Sequence, residues 1–262
     1  VCILYDWGPD APQYQFVSSL PWIPEFGLTF SFGVDGMSIL LVLLTTLMMP
    51  LITLGSWTAV QERVTEFHIW LLVLEAAMIA VFMATNIIFF YVCFEFTLVP
   101  MFFLIAIWGS AQRLKAARVF FLYTFTGSMM TLAALLYVAW FNTTLDPTLP
   151  GMHAEAGRWS FELETMYAAA KQMTYEQQWW VFLAFVAGFA VKVPLFPVHT
   201  WLPLAHTEAP MAGSVDLAAV LLKLGAYGLL RFAIPMCPEA AVDFAPWLGA
   251  LAVTGILYAA LI

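Results

Sequence analysis

Apolar residues in this chain gather into runs of about twenty, which short polar segments separate. A helix that crosses a membrane needs roughly 20 mostly apolar residues. Six runs reach this length, and a seventh begins near position 246 and continues to the end of the sequence. The six runs are residues 36–55, 67–84, 87–107, 119–141, 179–206 and 212–235. The pattern therefore predicts a polytopic bundle of membrane helices.

Two segments depart from the apolar pattern. Residues 1–35 contain four prolines and end in the alternating stretch "LTFSFGVDG", which predicts an extra-membrane segment with a short hairpin. Residues 142–178 form one long loop, and the stretch "ELETMYAAAKQM" within it favours a helix at the membrane interface. The predicted domains are thus an extra-membrane segment over 1–35 and a transmembrane bundle over 36–262.

Composition supports an all-α integral membrane protein. Hydrophobic residues make up 63% of the chain and charged residues only 10%, whereas a soluble domain carries about 25% charged residues. The net charge of -8 comes without any basic patch that could neutralise phosphates, so nucleic acid is not expected as a partner. Cys2, Cys93 and Cys237 show neither CxxC spacing nor a Cys/His cluster. We therefore expect no metal, no cofactor and no disulfide framework in this chain.

Basic residues in the loops predict the orientation, because Lys and Arg concentrate in cytoplasmic loops. The short loops of one side hold four basic residues, whereas the long acidic loop on the other side holds only Arg158 and Lys171. The side with short loops is therefore predicted to be cytoplasmic. Its basic residues are Arg63, Arg113, Lys115 and Arg118. A start at Val1 and a stop within an apolar run predict a fragment of a longer chain.

Three ionisable residues are placed near the middle of the predicted membrane spans. At 1.5 Å per residue, Glu95 lies about 12 Å and Lys192 about 20 Å from the outer ends of their spans, and Lys223 about 17 Å from an inner end. Buried charges of this kind cost about 2.5–3.5 kcal/mol each and are usually functional. A shared depth suits a proton relay. The alternative is that Glu95 and Lys192 form a neutralising ion pair that only fixes helix packing.

The run over 179–206 is too long for one straight span. Pro194 and Pro197 remove the amides that would pair with the carbonyls of Ala190 and Val193. The sequence therefore predicts a broken helix with Lys192 at the break, beside freed carbonyls and the negative end of a helix dipole. Broken helices mark the ion sites of many transporters.

Further titratable residues are weaker candidates for the same relay. His199 and His206 follow the break and titrate near neutral pH, although each could instead bond a backbone carbonyl. Asp216 lies two turns before Lys223 on the same predicted face, and Glu75 lies at bilayer depth. The sequence does not decide between a relay and a packing role for these residues. Arg231 lies near the outer end of its span and is expected to snorkel to the interface.

At these residues the sequence resembles the antiporter-like subunit 4, or chain M, of the proton-translocating NADH:quinone oxidoreductase, respiratory complex I. Three stretches carry the resemblance, which runs through nearly all of the chain. They are "PWIPEFGLTFSFGVDGMS", "FEFTLVPMFFLIAIWG" and "FAVKVPLFPVHTWLPLAHTEAPMAGSVDLAAVLLKLGAYGLLRF". The glutamate motif combined with the VKxP break is far more specific than either alone.

The resemblance implies a fold with two inverted helix repeats, each with a broken helix and a half-channel. Glu95 matches the glutamate of the family's fifth helix, Lys192 the lysine at the break of the seventh, and Lys223 the central lysine of the eighth. His199 and His206 match positions after the break. In that family NADH, FMN, iron–sulfur clusters and quinone are bound by partner subunits, and lipid and the neighbouring antiporter-like subunits surround this one. The implied location is a bacterial plasma membrane or a mitochondrial inner membrane.

Two other functions remain open from the sequence. A subunit of a multisubunit sodium/proton antiporter shares the lysine and glutamate pattern. A non-pumping membrane scaffold of a redox complex would keep the fold but would not need the charges. A freestanding enzyme is disfavoured because the sequence shows no nucleophile, metal or nucleotide constellation.

Overall fold

Long helices follow a short amino-terminal hairpin. A computed structural model describes residues 4–8, 10–23, 26–146 and 159–261. Two strands and twelve α-helices are assigned in this part of the chain. They are β1 (Gln15–Ile23), β2 (Leu28–Val34), α1 (Gly36–Ser56), α2 (Val64–Met83), α3 (Ile87–Phe96), α4 (Leu98–Trp108), α5 (Arg113–Thr143), α6 (Leu163–Ala170), α7 (Tyr175–Lys192), α8 (Trp201–Glu208), α9 (Met211–Asp216), α10 (Leu222–Gly228), α11 (Ile234–Met236) and α12 (Pro238–Leu261). Two π-helical turns, Leu217–Leu221 and Leu229–Ala233, flank α10.

Six helices of the described residues are long and apolar enough to cross a membrane. Five of them correspond to the predicted runs of full length, and the sixth corresponds to the seventh run, which begins near position 246. The six are Gly36–Ser56, Val64–Met83, Ile87–Trp108, Arg113–Thr143, Met211–Met236 and Pro238–Leu261. The run over 179–206 is not among them, because it is divided between α7 and α8.

Two boundaries differ from the sequence prediction. The last helix begins at Pro238 rather than near position 246, because proline is well tolerated in the first helical turn, where no amide partner is lost. The predicted loop over 142–178 is shorter, since Thr174 and Gln177 form a capping box that starts α7 at Tyr175. Its predicted helix is α6, and residues 147–158 lie outside the described part of the chain.

The first of two structural units contains the described residues up to 117 together with Glu208–Leu221. Its hairpin pairs β1 with β2 in antiparallel register. The hairpin docks on the three-residue link between α2 and α3, where Thr85 N donates to Ser31 O at 3.0 Å. Asn86 Oδ1 caps α3 by accepting from Ile88 N at 3.1 Å. The inward face of α2 supplies the core, with Phe67, Leu71, Leu74, Met78, Val81 and Phe82 all buried.

The second unit contains residues 118–207 and 222–261 of the described chain. Its core lies along α7, where Phe182, Phe185 and Phe189 are almost fully buried. α12 packs against α7 near their beginnings, and the Tyr175 hydroxyl donates to Asp243 Oδ2 at 2.5 Å. This hydrogen bond raises the pKa of Tyr175 because it stabilises the protonated phenol, so the contact persists at neutral pH.

Candidate functional site

The helix that carries Lys192 ends at that residue. α7 stops at Lys192, residues 193–200 form turns, and α8 resumes at Trp201. Pro194 and Pro197 lie in this interruption and have no amide hydrogen to continue a helix. Lys192 is only 4% exposed, so a cationic side chain is buried at the negative end of the α7 dipole. That the two helices follow different axes stays a prediction.

Donors from beyond the interruption pair with the carbonyls at the end of α7. Leu195 N donates to Ala190 O at 2.9 Å, and Trp201 Nε1 donates to Val191 O at 2.9 Å. The Trp201 side chain is 1% exposed. The sequence prediction placed Lys192 beside freed carbonyls, and for Ala190 this was wrong because the chain turns back to satisfy the oxygen itself.

Replacing Trp201 by phenylalanine is expected to lower the free energy of unfolding by about 1–3 kcal/mol, since a buried carbonyl loses its donor and the smaller ring fills less of the buried space. The measurement is the thermal unfolding midpoint of the purified full-length chain in detergent. Trp180→Phe on α7 is the matched control, because Trp180 is 66% exposed. Equal midpoints for the two variants would show that the Trp201 hydrogen bond does not hold the interruption.

The helix of Lys223 approaches the end of α7 closely. A Cβ built at Gly225 would lie 3.1 Å from Lys192 Cβ and 2.8 Å from Val193 Cγ2. Only a glycine at this position allows α10 to lie so near the backbone that carries Lys192. The π-helical turns on either side of α10 are of a kind often found at functional sites.

The side chain of Lys223 is exposed in this chain, and its place in the proton relay stays a prediction. α10 buries Leu224, Tyr227 and Gly228. Lys223 and Leu230 are seven residues apart and share the opposite face, where Leu230 is 53% exposed. Depth along a helix can be counted from sequence, but the face that a neighbour covers cannot.

The two histidines lie on either side of the start of α8. His199 is half-buried in the interruption, where its ring stacks on Phe196 at 5.6 Å and meets Tyr258 edge-on at 5.4 Å. Its Nδ1 is buried and has no hydrogen-bond partner among the described residues. His206 is half-buried on α8. The relay role of both histidines stays a prediction.

The acidic candidates all belong to the first unit. Glu95 is half-buried at the end of α3, next to the junction with α4, where Pro100 has no amide to offer the preceding turn. Asp216 ends α9 and is 0% exposed, and Glu75 of α2 is half-buried. A shared role of Glu75 and Asp216 stays a prediction. The pairing of Glu95 with Lys192 stays a prediction.

Arg231 is a buried cation that sequence reasoning missed. It is 6% exposed rather than snorkelling, and its Nε donates to the Tyr227 hydroxyl at 3.1 Å. Its carbonyl accepts from the Tyr167 hydroxyl at 2.6 Å. Pro235, four residues on, has no amide to give that carbonyl, so the tyrosine replaces a missing helical bond. The sequence contains two signals of this burial, since Tyr227 lies four residues before Arg231 and Pro235 lies four residues after it.

Comparisons with known proteins agree with this architecture. Residues 84–262 match the family described as NADH:quinone oxidoreductase/Mrp antiporter, TM. NADH-quinone oxidoreductase subunit M of Rhodobacter capsulatus is 45% identical over 267 residues, which cover 99% of this chain and 49% of that protein. NADH-ubiquinone oxidoreductase chain 4 of Arabidopsis thaliana is 43% identical over 250 residues, 95% of this chain and 47% of that protein.

Solved structures show the same fold. A chain of respiratory complex I from Thermus thermophilus with bound NADH matches with a TM-score of 0.72 and 33% identity, over 90% of this chain and 46% of that one. A chain of the Mrp complex from Dietzia sp. DQ12-45-1b matches with a TM-score of 0.72 over 88% of this chain and 24% of that one. At 20% identity, the latter is a likeness of fold alone.

Six membrane-length helices and this shared fold define a multi-pass membrane protein of antiporter-like architecture, which confirms the fold class predicted from the sequence. The chain belongs to the NADH:quinone oxidoreductase/Mrp antiporter transmembrane family. It spans about half the length of the curated relatives that it matches.

Proposed function

We propose that this chain is part of a proton-translocating membrane subunit of a complex I-type NADH:quinone oxidoreductase, and that Glu95, Lys192 and Lys223 move the protons. The observation that carries the proposal is the burial of Lys192 at the end of α7. Gly225 lets α10, the helix of Lys223, lie against the Cβ of Lys192. A buried charge at an interrupted membrane helix is costly and is usually retained for function. The relatives named subunit M and chain 4 support the choice of assembly.

The two lysines form the central element of the proposed mechanism. Lys223 takes a proton from the cytoplasmic side by way of His206 and His199. Because like charges oppose each other more strongly as they approach, movement of Lys192 toward Lys223 favours release of that proton. Glu95 attracts the Lys192 ammonium and competes for it. A redox-driven change elsewhere in the complex then needs only to shift Lys192 between Glu95 and Lys223.

Partner subunits would supply the redox chemistry. NADH, FMN, iron–sulfur clusters and quinone belong to them in this proposal, and this chain contributes only proton movement. Its neighbours would be other membrane subunits of the complex, particularly antiporter-like ones, and lipid. The location would be a bacterial plasma membrane or a mitochondrial inner membrane.

Proton translocation by the whole assembly tests the proposal. The full-length chain carrying Glu95→Ala, Glu95→Gln, Lys192→Ala or Lys223→Ala would be compared with the parent in sealed vesicles energised with NADH, at matched assembly levels. Each variant is expected to lose most proton pumping, and Glu95→Gln to resemble Glu95→Ala because charge rather than size is required. Lys171→Ala, at an exposed lysine after α6, should pump like the parent.

Two results would overturn the proposal. Near-normal pumping in all four variants would show that the chain acts as a non-pumping scaffold. The second test replaces sodium by potassium at constant ionic strength. Loss of pumping on this replacement would favour the sodium/proton antiporter function instead.

A further inference from the structure

A groove opens between α5 and α7 beyond the point where the two helices meet. A Cβ at Gly188 of α7 would lie 2.8 Å from the carbonyl oxygen of Gly127 and 3.0 Å from the amide nitrogen of Thr131, both on α5, so the backbones nearly touch there. Towards the end of α5 and the beginning of α7, the helices leave a cavity of about 430 Å³ between them. All of its lining residues belong to the second unit.

The groove changes from polar to apolar along α7. Glu176, in the first turn of α7, lines one end. Ala133, Ala134 and Ala184 line the other end, and their small side chains leave room for a guest molecule. Ala184 lies eight residues after Glu176, which corresponds to about 12 Å of helix. The groove is therefore about two helical turns long, with an acid at one end and a narrow apolar channel at the other.

Exposed aromatic rings mark the polar end as lying at the membrane surface. Trp180 is 66% exposed and lines the groove, as does the half-buried Tyr137. The Tyr137 ring lies 5.7 Å from that of Trp140, which is 50% exposed. Exposed Trp and Tyr side chains are typical of the boundary between the hydrocarbon core and water. The acid thus lies at the depth of lipid headgroups, and the alanines lie at the depth of acyl chains.

The polar end has the chemistry of an ammonium site. Glu176 is exposed, and no ion pair holds it among the described residues. Its carboxylate can accept charge-assisted hydrogen bonds from an ammonium group, and the faces of Trp180 and Tyr137 attract cations. No described lysine or arginine lines the groove. An anionic headgroup would therefore be repelled by Glu176 without gaining a basic partner.

The size of the groove distinguishes a lipid from a partner helix. A helix that crosses the membrane beside this chain would need a face of roughly 20 residues, whereas the groove follows α7 for about two turns. A small soluble amine would use the acid and leave the apolar end empty. A phospholipid with an ammonium headgroup uses both ends at once.

We propose that this groove binds phosphatidylethanolamine. The primary ammonium of the headgroup donates to the Glu176 carboxylate and lies against the Trp180 ring, while one acyl chain follows the groove past Ala184. The lipid phosphate stays in the interfacial water. This site is separate from the proposed proton relay and does not depend on it.

Photochemical labelling in the assembled complex tests the proposal. The assembly with the full-length chain would be placed in vesicles of equal phosphatidylethanolamine and phosphatidylglycerol, with a trace of either lipid carrying a diazirine in its acyl chain. The ethanolamine probe is expected to label the facing segments of α5 and α7 about two- to fivefold more than the glycerol probe, which is the range for an exposed ion pair with a cation–π contact. Glu176→Gln should bring this ratio close to one.

Two further variants control the measurement. Glu164→Gln should keep the parent ratio, because Glu164 is also an exposed acid at the second position of a helix, α6, but does not line the groove. Ala184→Leu fills the apolar end, so it should lower labelling of these segments by both probes.

Four results would overturn the proposal. Equal labelling of the parent by the two probes would show that the groove does not recognise the headgroup. Stronger labelling by the glycerol probe would indicate an anionic lipid instead. An absence of labelling by either probe would show that a neighbouring subunit covers the groove. A ratio that Glu176→Gln leaves unchanged would show that its carboxylate is not the group that binds the ammonium. None of these readouts measures proton pumping, so each outcome is independent of the proposed function.

Discussion

Replacing Gly109 by alanine is expected to destabilise the first unit by about 3 kcal/mol, a large effect for adding one methyl group to a packed interior. A Cβ at Gly109 would overlap the carbonyl oxygen of Ile105 and lie 2.6 Å from the carbonyl oxygen of Glu208. Both obstacles are backbone atoms, which cannot rotate away. Glu208 also holds the loop after α4, since its carbonyl accepts from Ser110 N at 2.8 Å and its Oε2 from Gln112 N at 2.7 Å.

The measurement is the amount of the full-length chain in assembled complexes, followed by the unfolding midpoint of the solubilised protein. Gly249→Ala is the control, because a Cβ there would have no neighbour within 4 Å among the described residues. Gly249 lies inside α12, so alanine should be neutral or slightly stabilising there. Equal assembly of the two variants would contradict the close approach at Gly109.

A second large effect is expected at Gly228, where α10 crosses α7. A Cβ there would overlap the ring of Phe189, which is 0% exposed and enclosed by the core of the second unit. Gly228→Ala should cost about 1–3 kcal/mol because a fully buried ring cannot move without displacing its neighbours. Lys192 lies less than one helical turn beyond Phe189, so we also expect weaker proton pumping per NADH oxidised.

A compensating substitution makes this prediction sharper. Phe189→Leu alone should destabilise the protein by leaving a cavity. Combined with Gly228→Ala, it should cost less than the sum of the two single effects, because the smaller side chain makes room for the methyl group. Unfolding midpoints of the parent, the two single variants and the double variant complete the cycle. Strict additivity would show that the two positions do not contact each other.

Hydropathy predicted where most membrane helices lie, since a span needs an unbroken apolar run. The run over 87–107 corresponds to Ile87–Trp108, and the run over 36–55 to Gly36–Ser56. Hydropathy failed to predict where α7 and α12 begin, because their first turns are polar and are set by local backbone chemistry. Thr174 and Gln177 start α7 through a capping box, and Pro238 starts α12. Such signals act over a few residues and disappear when hydropathy is averaged along the chain.

The candidate site was predictable in its residues but not in their surroundings. Proline chemistry indicated an interruption after Lys192, and a helix ends there. The burial of Arg231 depends on which helix face meets a neighbour, and only Tyr227 and Pro235 indicated it in the sequence. The exposure of Lys223 in this chain depends on packing in the same way and had no such signal. Depth is a property of one helix, whereas these contacts are properties of packing.

The π-helical turn over Leu229–Ala233 makes the number of residues in this helix as important as their chemistry. Such a turn accommodates one residue more than an α-helical turn. In-frame loss of a single codon there would restore an ordinary helical turn, and the helix on either side would keep its rotational phase because the wide turn absorbs the extra residue. The local distortion that presents the Arg231 carbonyl to the Tyr167 hydroxyl would then be lost, and with it that hydrogen bond. Genes for this chain should therefore accept apolar exchanges at Leu230 far more readily than a deletion of one residue.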